Sequence, residues 1–342
     1  MEINNSYHDF YSLYKSKIDL CYFNIKEEYS MKIYKLIIIE LLIIIFLVSV
    51  FIFYKIYINN SYTLIILIFE VISLIYSILY LLVNVLSIKS KLYIRFNKEL
   101  YKYLLDYFSN NDFIYEENTE LDKDEFKEMN LFNLDILNYE GSNFTASNKL
   151  NKKFIFCDVN LYDVMDRIKK DVYYNSYENI KYITHYYYQD RIDIFKGLYY
   201  ETTINRENNE YIFLIPDNIT DKFIRHNINH YLTFDGKIIK LENLEFEKRY
   251  AVYSLNEIKS RYVLSLTLME KINELDRLIP NKKYLVFKSD GRVGIFIDSY
   301  SIEKILGESF KISKDIPRMH IRKIFNEIDK LFKISVILED IR

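Results

Sequence analysis

The feature that most constrains this chain lies between Leu36 and Ile88, where the sequence is almost unbroken in apolar residues. The first run, Leu36–Ile58, reads LIIIELLIIIFLVSVFIFYKIYI, and the second, Tyr62–Ile88, reads YTLIILIFEVISLIYSILYLLVNVLSI. A hydrocarbon core ~30 Å thick is crossed by about 20 helical residues, so each run is long enough to span a bilayer once. Neither carries the polar stripe of a surface helix in a soluble protein. Only Asn59, Asn60 and Ser61 separate the runs, which predicts an antiparallel helical hairpin with a tiny turn. Lys26, Lys32 and Lys35 precede it, Lys89, Lys91, Arg95 and Lys98 follow it, and Lys55 stands alone near the turn. By the positive-inside rule both termini are cytoplasmic, giving a multi-pass protein of the cell membrane. A cleaved signal peptide is not expected, because the apolar run begins late and a second span follows at once.

Each run holds a carboxylate. Glu40 lies about one turn in from the cytoplasmic end and can snorkel, whereas Glu70 sits ~12 Å along the second helix from Tyr62. A turn at Asn59-Asn60 puts Ser49 level with Glu70, so the hydroxyl is an expected partner. An ionisable residue in lipid costs ~2.5 kcal/mol or more, which makes Glu40, Ser49 and Glu70 intramembrane candidates. The plainer alternative is that Glu70 is protonated or faces another subunit.

Outside the hairpin, residues 1–35 read as a cytoplasmic amphipathic helix through Phe10, Leu13, Tyr14, Ile18, Cys21 and Ile25. Residues 89–130 read as a juxtamembrane basic helix followed by an acidic linker. On that helix Lys91, Arg95, Lys98 and Lys102 recur at i, i+4, i+7 and i+11, a stripe able to meet anionic lipid headgroups or simply to face solvent. Residues 131–342 read as a cytoplasmic α+β domain with a largely antiparallel sheet. Its candidate strands are Phe154–Phe156, Ile180–Tyr188, Arg191–Thr203, Tyr211–Ile215, Lys237–Leu241 and Tyr250–Tyr253. Pro216-Asp217-Asn218 and Asp235-Gly236 punctuate them. A helix is predicted over Ile258–Ile279, a hairpin from Lys283–Phe287 and Val293–Ile297, and a last helix around Ile321–Phe332.

Charge and composition exclude several classes. Lys plus Arg number 46 against 48 Asp plus Glu, so no global basicity points to nucleic acid. Two Cys rule out a disulfide scaffold. Among the five His only His226 and His230 are close, and the residues between them lack the glutamate of a zinc-protease helix, so no metal site is expected. The six Gly form no phosphate loop, and neither Cys21 nor Cys157 has a nearby His to activate it. No catalytic constellation or cofactor is expected, which makes an enzyme the less favoured class.

Two segments carry a resemblance. One is FKGLYYETTINRENNEYIFLIPD, Phe195–Asp217, and the other is LENLEFEKRYAVYSLNEIKSRYVLSLTLMEKI, Leu241–Ile272. In these the chain resembles an uncharacterised family of bacterial two-pass membrane proteins, the domain of unknown function 3137 family. Phe246, Val252, Tyr253, Ser254, Arg261, Tyr262, Leu264, Met269 and Glu270 match the second element. Leu244 replaces its proline, Ser260 its alanine, and Ser265-Leu266 its Thr-Pro. The resemblance implies a fold and topology and no activity.

Within that motif, Phe246, Tyr250 and Val252 are expected to alternate into a core as a strand, with Asn256 capping the next helix. Arg261 is expected to pair with Glu245 or Glu247, or with Tyr262 to bind an anionic ligand. The functional expectation is a membrane-anchored binding, scaffolding or regulatory module with a protein partner or a second copy of itself. The alternatives are a tethered enzyme and an oligomeric conduit using Glu70.

Overall fold

A computed structural model describes residues 6–57, 63–109, 113–117, 119–147, 154–175, 180–204, 211–216, 232–233, 236–310, 312 and 315–339. Two long helices come first, α1 (Tyr7–Tyr57) and α2 (Thr63–Ser109). The expected amphipathic segment and first span are therefore one continuous helix, and the second span runs unbroken into the basic helix. The cause is compositional: no Gly or Pro occurs before Gly141, so nothing interrupts the ladder where the solvent changes. At 1.5 Å per residue α1 is about 76 Å long, more than twice a hydrocarbon core. The expected turn residues Asn59, Asn60 and Ser61 lie outside the described residues, as do His226, His230, Asp217, Asn218 and Asp235.

The chain divides into two compact units, Met1–Tyr107 with Ile305–Asn326, and Phe108–Lys304 with Glu327–Arg342. In the first unit, Phe10, Ile18, Tyr22 and Ile25 of α1 and Leu92, Phe96 and Leu100 of α2 are buried. Leu13, expected on the inner face, points outward instead. Farther along, the surface changes character. Only 6% of the most apolar stretch of either helix is buried, so neither is the core helix of a soluble fold. Two membrane-spanning candidates followed by an antiparallel sheet with packed helices make the chain α+β, as its sequence predicts.

The second unit is built on nine strands in the order β1-β2-β3-β4-β9-β8-β5-β7-β6, every neighbouring pair antiparallel. They are β1 (Ile114–Glu116), β2 (Asn138–Ser147), β3 (Phe154–Asn175), β4 (Ile180–Thr203), β5 (Ile212–Pro216), β6 (Lys237–Ile239), β7 (Tyr250–Ser254), β8 (Lys283–Phe287) and β9 (Arg292–Asp298). Between the strands lie short helices α3 (Lys123–Lys127), α4 (Leu244–Glu247) and α5 (Glu257–Val263), then α6 (Leu266–Leu278) and α7 (Ile302–Leu306). Helix α8 (Arg318–Glu339) closes the described chain.

Alternation sorts the sheet's two faces. Ile155, Cys157 and Val159 of β3 join Tyr199 of β4 and Phe296 of β9 beneath Leu121, Phe126 and Phe132. On the opposite face Phe154 and Phe156 stack with Tyr200 and receive the edge of Phe332 from α8. The acidic stretch is thus more than a linker, since it supplies β1, α3 and the buried Leu121 and Phe126. Two glycines meet steric demands. Gly291 takes φ 80° in the β8–β9 turn, and a Cβ on Gly197 would stand 2.1 Å from the Ile297 carbonyl oxygen.

Several local expectations need correction. Phe246 is buried from helix α4, capped by Asn243, whereas Tyr250 and Val252 alternate inward from β7 together with Ser254. The single helix over Ile258–Ile279 is two, broken at Leu264 because Ser265 caps α6 through the Leu268 amide. Asn256 does cap α5, accepting from the Lys259 amide.

Candidate functional site

At one end of the β2–β3–β4 segment the second unit opens a cleft of about 400 Å³. Its polar lining includes Glu140, Asp158, Asn160, Arg191, Lys196 and Glu303. Asp158 follows Cys157 on β3, so alternation puts it on the face of Phe154 and Phe156, where it is buried. Its Oδ1 accepts from the Ile302 amide and its Oδ2 from the Glu303 amide, each at 2.7 Å. These are the first amides of α7, which lack partners in their own helix. Asn143 Nδ2 donates a third bond to Oδ2 at 2.9 Å. Burial pushes the Asp158 carboxyl up to about 6 despite those donors, which pull the other way.

Unusual backbone borders the cleft, at two residues that bond its lining. The β2–β3 register shifts between Ser142 and Thr145, and Asn143 in that bulge has φ 56°. Ser299, whose amide donates to the Lys196 carbonyl at 2.9 Å, has φ 58°. Left-handed conformations at non-glycine residues are held only by their surroundings and cluster where a site is shaped. In the same cleft Asn160 Oδ1 is buried without a hydrogen-bond partner. Arg191 is clamped: it donates to both Glu140 oxygens, at 3.3 and 2.9 Å, and lies 3.5 Å over the Tyr162 ring. Lys196 carries no ion pair among the described residues. The cleft therefore offers a fixed guanidinium–carboxylate pair, an ammonium, hydroxyls of Ser142 and Ser301, and an unmatched acceptor.

The residues singled out from sequence fall elsewhere. Arg261 pairs with Glu257 at 2.7 Å, four residues back on α5, and not with Glu245 or Glu247. Helical geometry brings i and i+4 together, whereas Glu247 is engaged by the Leu241 amide. Tyr262 is 76% exposed, and neither residue lines the cleft. Among the described residues no group of three His, Cys, Asp or Glu could hold a metal ion. Cys157 is buried and burial raises its thiol, while Cys21 is pushed up to about 11. On the basic stripe, Arg95 meets Glu28 at 2.7 Å and Lys102 meets Glu99 at 3.1 Å. Lys91 is exposed and Lys98 half-buried.

Within the hairpin, the polar pairing differs from expectation. Ser77 Oγ donates to Glu40 Oε1, and Glu40 is buried between the helices and does not snorkel. Extending that pairing along the antiparallel helices sets Leu47, two residues from Ser49, level with Glu70. Ser49 instead donates to the Phe46 carbonyl at 2.7 Å, and Glu70 Oε1 is buried without a partner.

A second polar cluster serves the β8–β9 turn. Lys288 and Arg292 both meet Glu128 and Asp290, and Tyr199 donates to Glu201 at 2.6 Å. Arg292 also stands 3.7 Å from Glu201, so each cation meets at least two carboxylates and the cluster reads as a staple.

Residues 193–339 match the model of a family described as a protein of unknown function, DUF3137. The resemblance read from the two sequence elements is shown over this segment, which contains Lys196 and Gly197 of the cleft and extends through α8. The two-pass description rests separately on α1 and α2, which precede the match. Nothing among curated proteins or solved structures matches the chain.

Proposed function

We propose that this chain is a membrane-tethered binding module. The hairpin holds an α+β domain at the cytoplasmic face of a cell membrane, and the Asp158 cleft takes a polar ligand or a polar segment of a protein partner. The observation that carries the reading is the pairing of two uncovered apolar helices with a domain whose cleft has an orphan acceptor and a fixed ion pair. The orientation is supported by the excess of Lys and Arg outside the turn.

A tethered enzyme is less well supported. A carboxyl raised to about 6 in a cleft suits proton transfer, but Asp158 already accepts three bonds that hold α7 and the bulge in place. Its geometry suits positioning. The test is photo-crosslinking of the full chain in its native membrane from a reactive residue at position 196, with position 258 as the exposed control. A discrete adduct at 196 and none at 258 supports the module. Equal labelling at both, or none at either, contradicts it.

A further inference from the structure

A smaller cleft of about 260 Å³ lies in the second unit and shares no lining residue with the Asp158 cleft. It is lined by Pro216 at the end of β5, Arg249 and Tyr250 at the start of β7, Asp276 of α6, and the segment Pro280–Lys283. Lys283 lies at its floor with a side chain only 3% exposed. Its ammonium donates to Asp276 Oδ1 at 2.8 Å and to the Asn281 carbonyl at 3.0 Å. An ammonium has three donors, so one is unused in a setting where burial lowers its proton affinity. Asp276 is fully engaged, since Oδ1 also accepts from the Tyr250 hydroxyl at 2.7 Å and Oδ2 stands 3.9 Å from Arg249 Nη1. Arg249 donates from Nη1 to Asn273 at 3.1 Å, which leaves most of its five-donor fork open.

The charge does not close. Among the described residues Arg249, Lys282 and Lys283 face one carboxylate, a surplus of about two positive charges. Part of that surplus complements the C-terminus of α6, but a helix end carries only about half a unit of negative charge. Pro216, Pro280 and the Tyr250 ring supply apolar walls beside the cations. A dianionic head on a small organic body fits this lining, and a phosphate monoester carries about −1.5 to −2 near neutral pH.

We propose that this cleft binds a phosphate monoester, with Lys283 and Arg249 as its charged ligands and Asp276 and Tyr250 as positioning residues for Lys283. The same chemistry is offered by a soluble sugar or nucleoside phosphate and by a phosphatidic acid headgroup.

The test uses the full chain in nanodiscs of neutral phosphatidylcholine, titrated with glycerol phosphate and followed calorimetrically. Saturable binding with a Kd of about 1 mM or tighter is expected, with acetate at least tenfold weaker. Arg249→Gln leaves the buried pair intact and should weaken binding about tenfold. Lys283→Met should abolish it, and because that change strands Asp276, its thermal unfolding is measured alongside. If it fails to fold, the Arg249→Gln arm decides. Introducing phosphatidic acid into the disc separates the sources: a raised apparent Kd assigns the headgroup, and an unchanged one assigns a soluble ester. No saturable binding, acetate binding as tightly as the phosphate, or an Arg249→Gln affinity equal to the parent's overturns the site.

Discussion

Ile39, Leu42, Ile45 and Phe46 of α1 are all more than half exposed, whereas Val293, Ile295, Phe296 and Ile297 of β9 are each at most 1% exposed. The residue types are nearly the same. The sheet covers its apolar faces with α3, α8 and its own neighbours, and so provides its own nonaqueous surroundings. Along their apolar stretches the paired helices have, among the described residues, only each other, and two cylinders in contact hide little of their circumference. At ~25 cal/mol per Å² their remaining apolar surface is untenable in water and favourable in lipid. Apolar content therefore does not distinguish a core from an anchor; what covers it does.

The comparison breaks first at the core. Phe296 touches Phe126, Phe132, Phe195 and Tyr199, so Phe296→Ala should lower domain stability by ~3–5 kcal/mol in denaturant unfolding. Leu42→Ala on the exposed side of α1 should leave that transition within ~0.5 kcal/mol. An equal loss from both would mean that α1 is a core helix after all. Ile45→Arg attacks the other half of the comparison. Insertion should become less favourable by about 3 kcal/mol, read as release of the chain from membranes by alkaline carbonate, with domain unfolding unaffected.

Asp158→Ala should cost ~1–2 kcal/mol by leaving the α7 amides and Asn143 without their acceptor, seen as faster amide exchange at Ile302 and Glu303. The two units should also respond oppositely to acid. Asp158 has a folded value raised from 3.8 to about 6, so its contribution is complete below 3.8 and fades as pH climbs through 6. His320 in the first unit is lowered from 6.5 to about 4 by burial; it packs at a tilt against Phe310 and bonds Asn97 Oδ1 at 2.8 Å. Asn97 Nδ2 already donates to the Leu306 and Glu308 carbonyls, so its oxygen is the acceptor and Nε2 carries the proton. The His320 contribution is complete above 6.5 and is lost as pH falls through 4. Differences between parent and Asp158→Asn, and between parent and His320→Gln, should slope in opposite directions between pH 4 and 6.5. Parallel slopes would refute this assignment. A small effect is expected in the hairpin, where Ser77→Ala should weaken helix pairing by ~0.6 kcal/mol, and at most about 1.7.

Much of the anchor was legible because two runs of more than twenty residues, almost wholly apolar, have few other uses. Its ends were not, since nothing in the sequence stops α1 at Lys35 or starts a new helix at Lys89. Strand β2 was hidden by its own composition: NYEGSNFTAS is poor in β-branched residues and is held extended by β1 and β3 on either side. The charged run after Leu161 likewise masked the length of β3, which pairs with β4 as far as Asn175. The Asp158 cleft was not legible. Lys196-Gly197 lies within a family element that carries no chemical signal of its own, and the amides that define Asp158 lie 144 and 145 residues away, beyond any local pattern. The Glu40–Ser77 pairing depended on a register that the turn residues alone could not fix to within one helical step.

The most direct test labels single cysteines in intact cells with a membrane-impermeant maleimide, in a Cys21→Ser background that keeps the buried Cys157. Asn60→Cys should react before permeabilisation and Glu245→Cys only after it. Reaction of Glu245→Cys in intact cells, or protection of both sites, would contradict a cytoplasmic domain carried on a membrane hairpin.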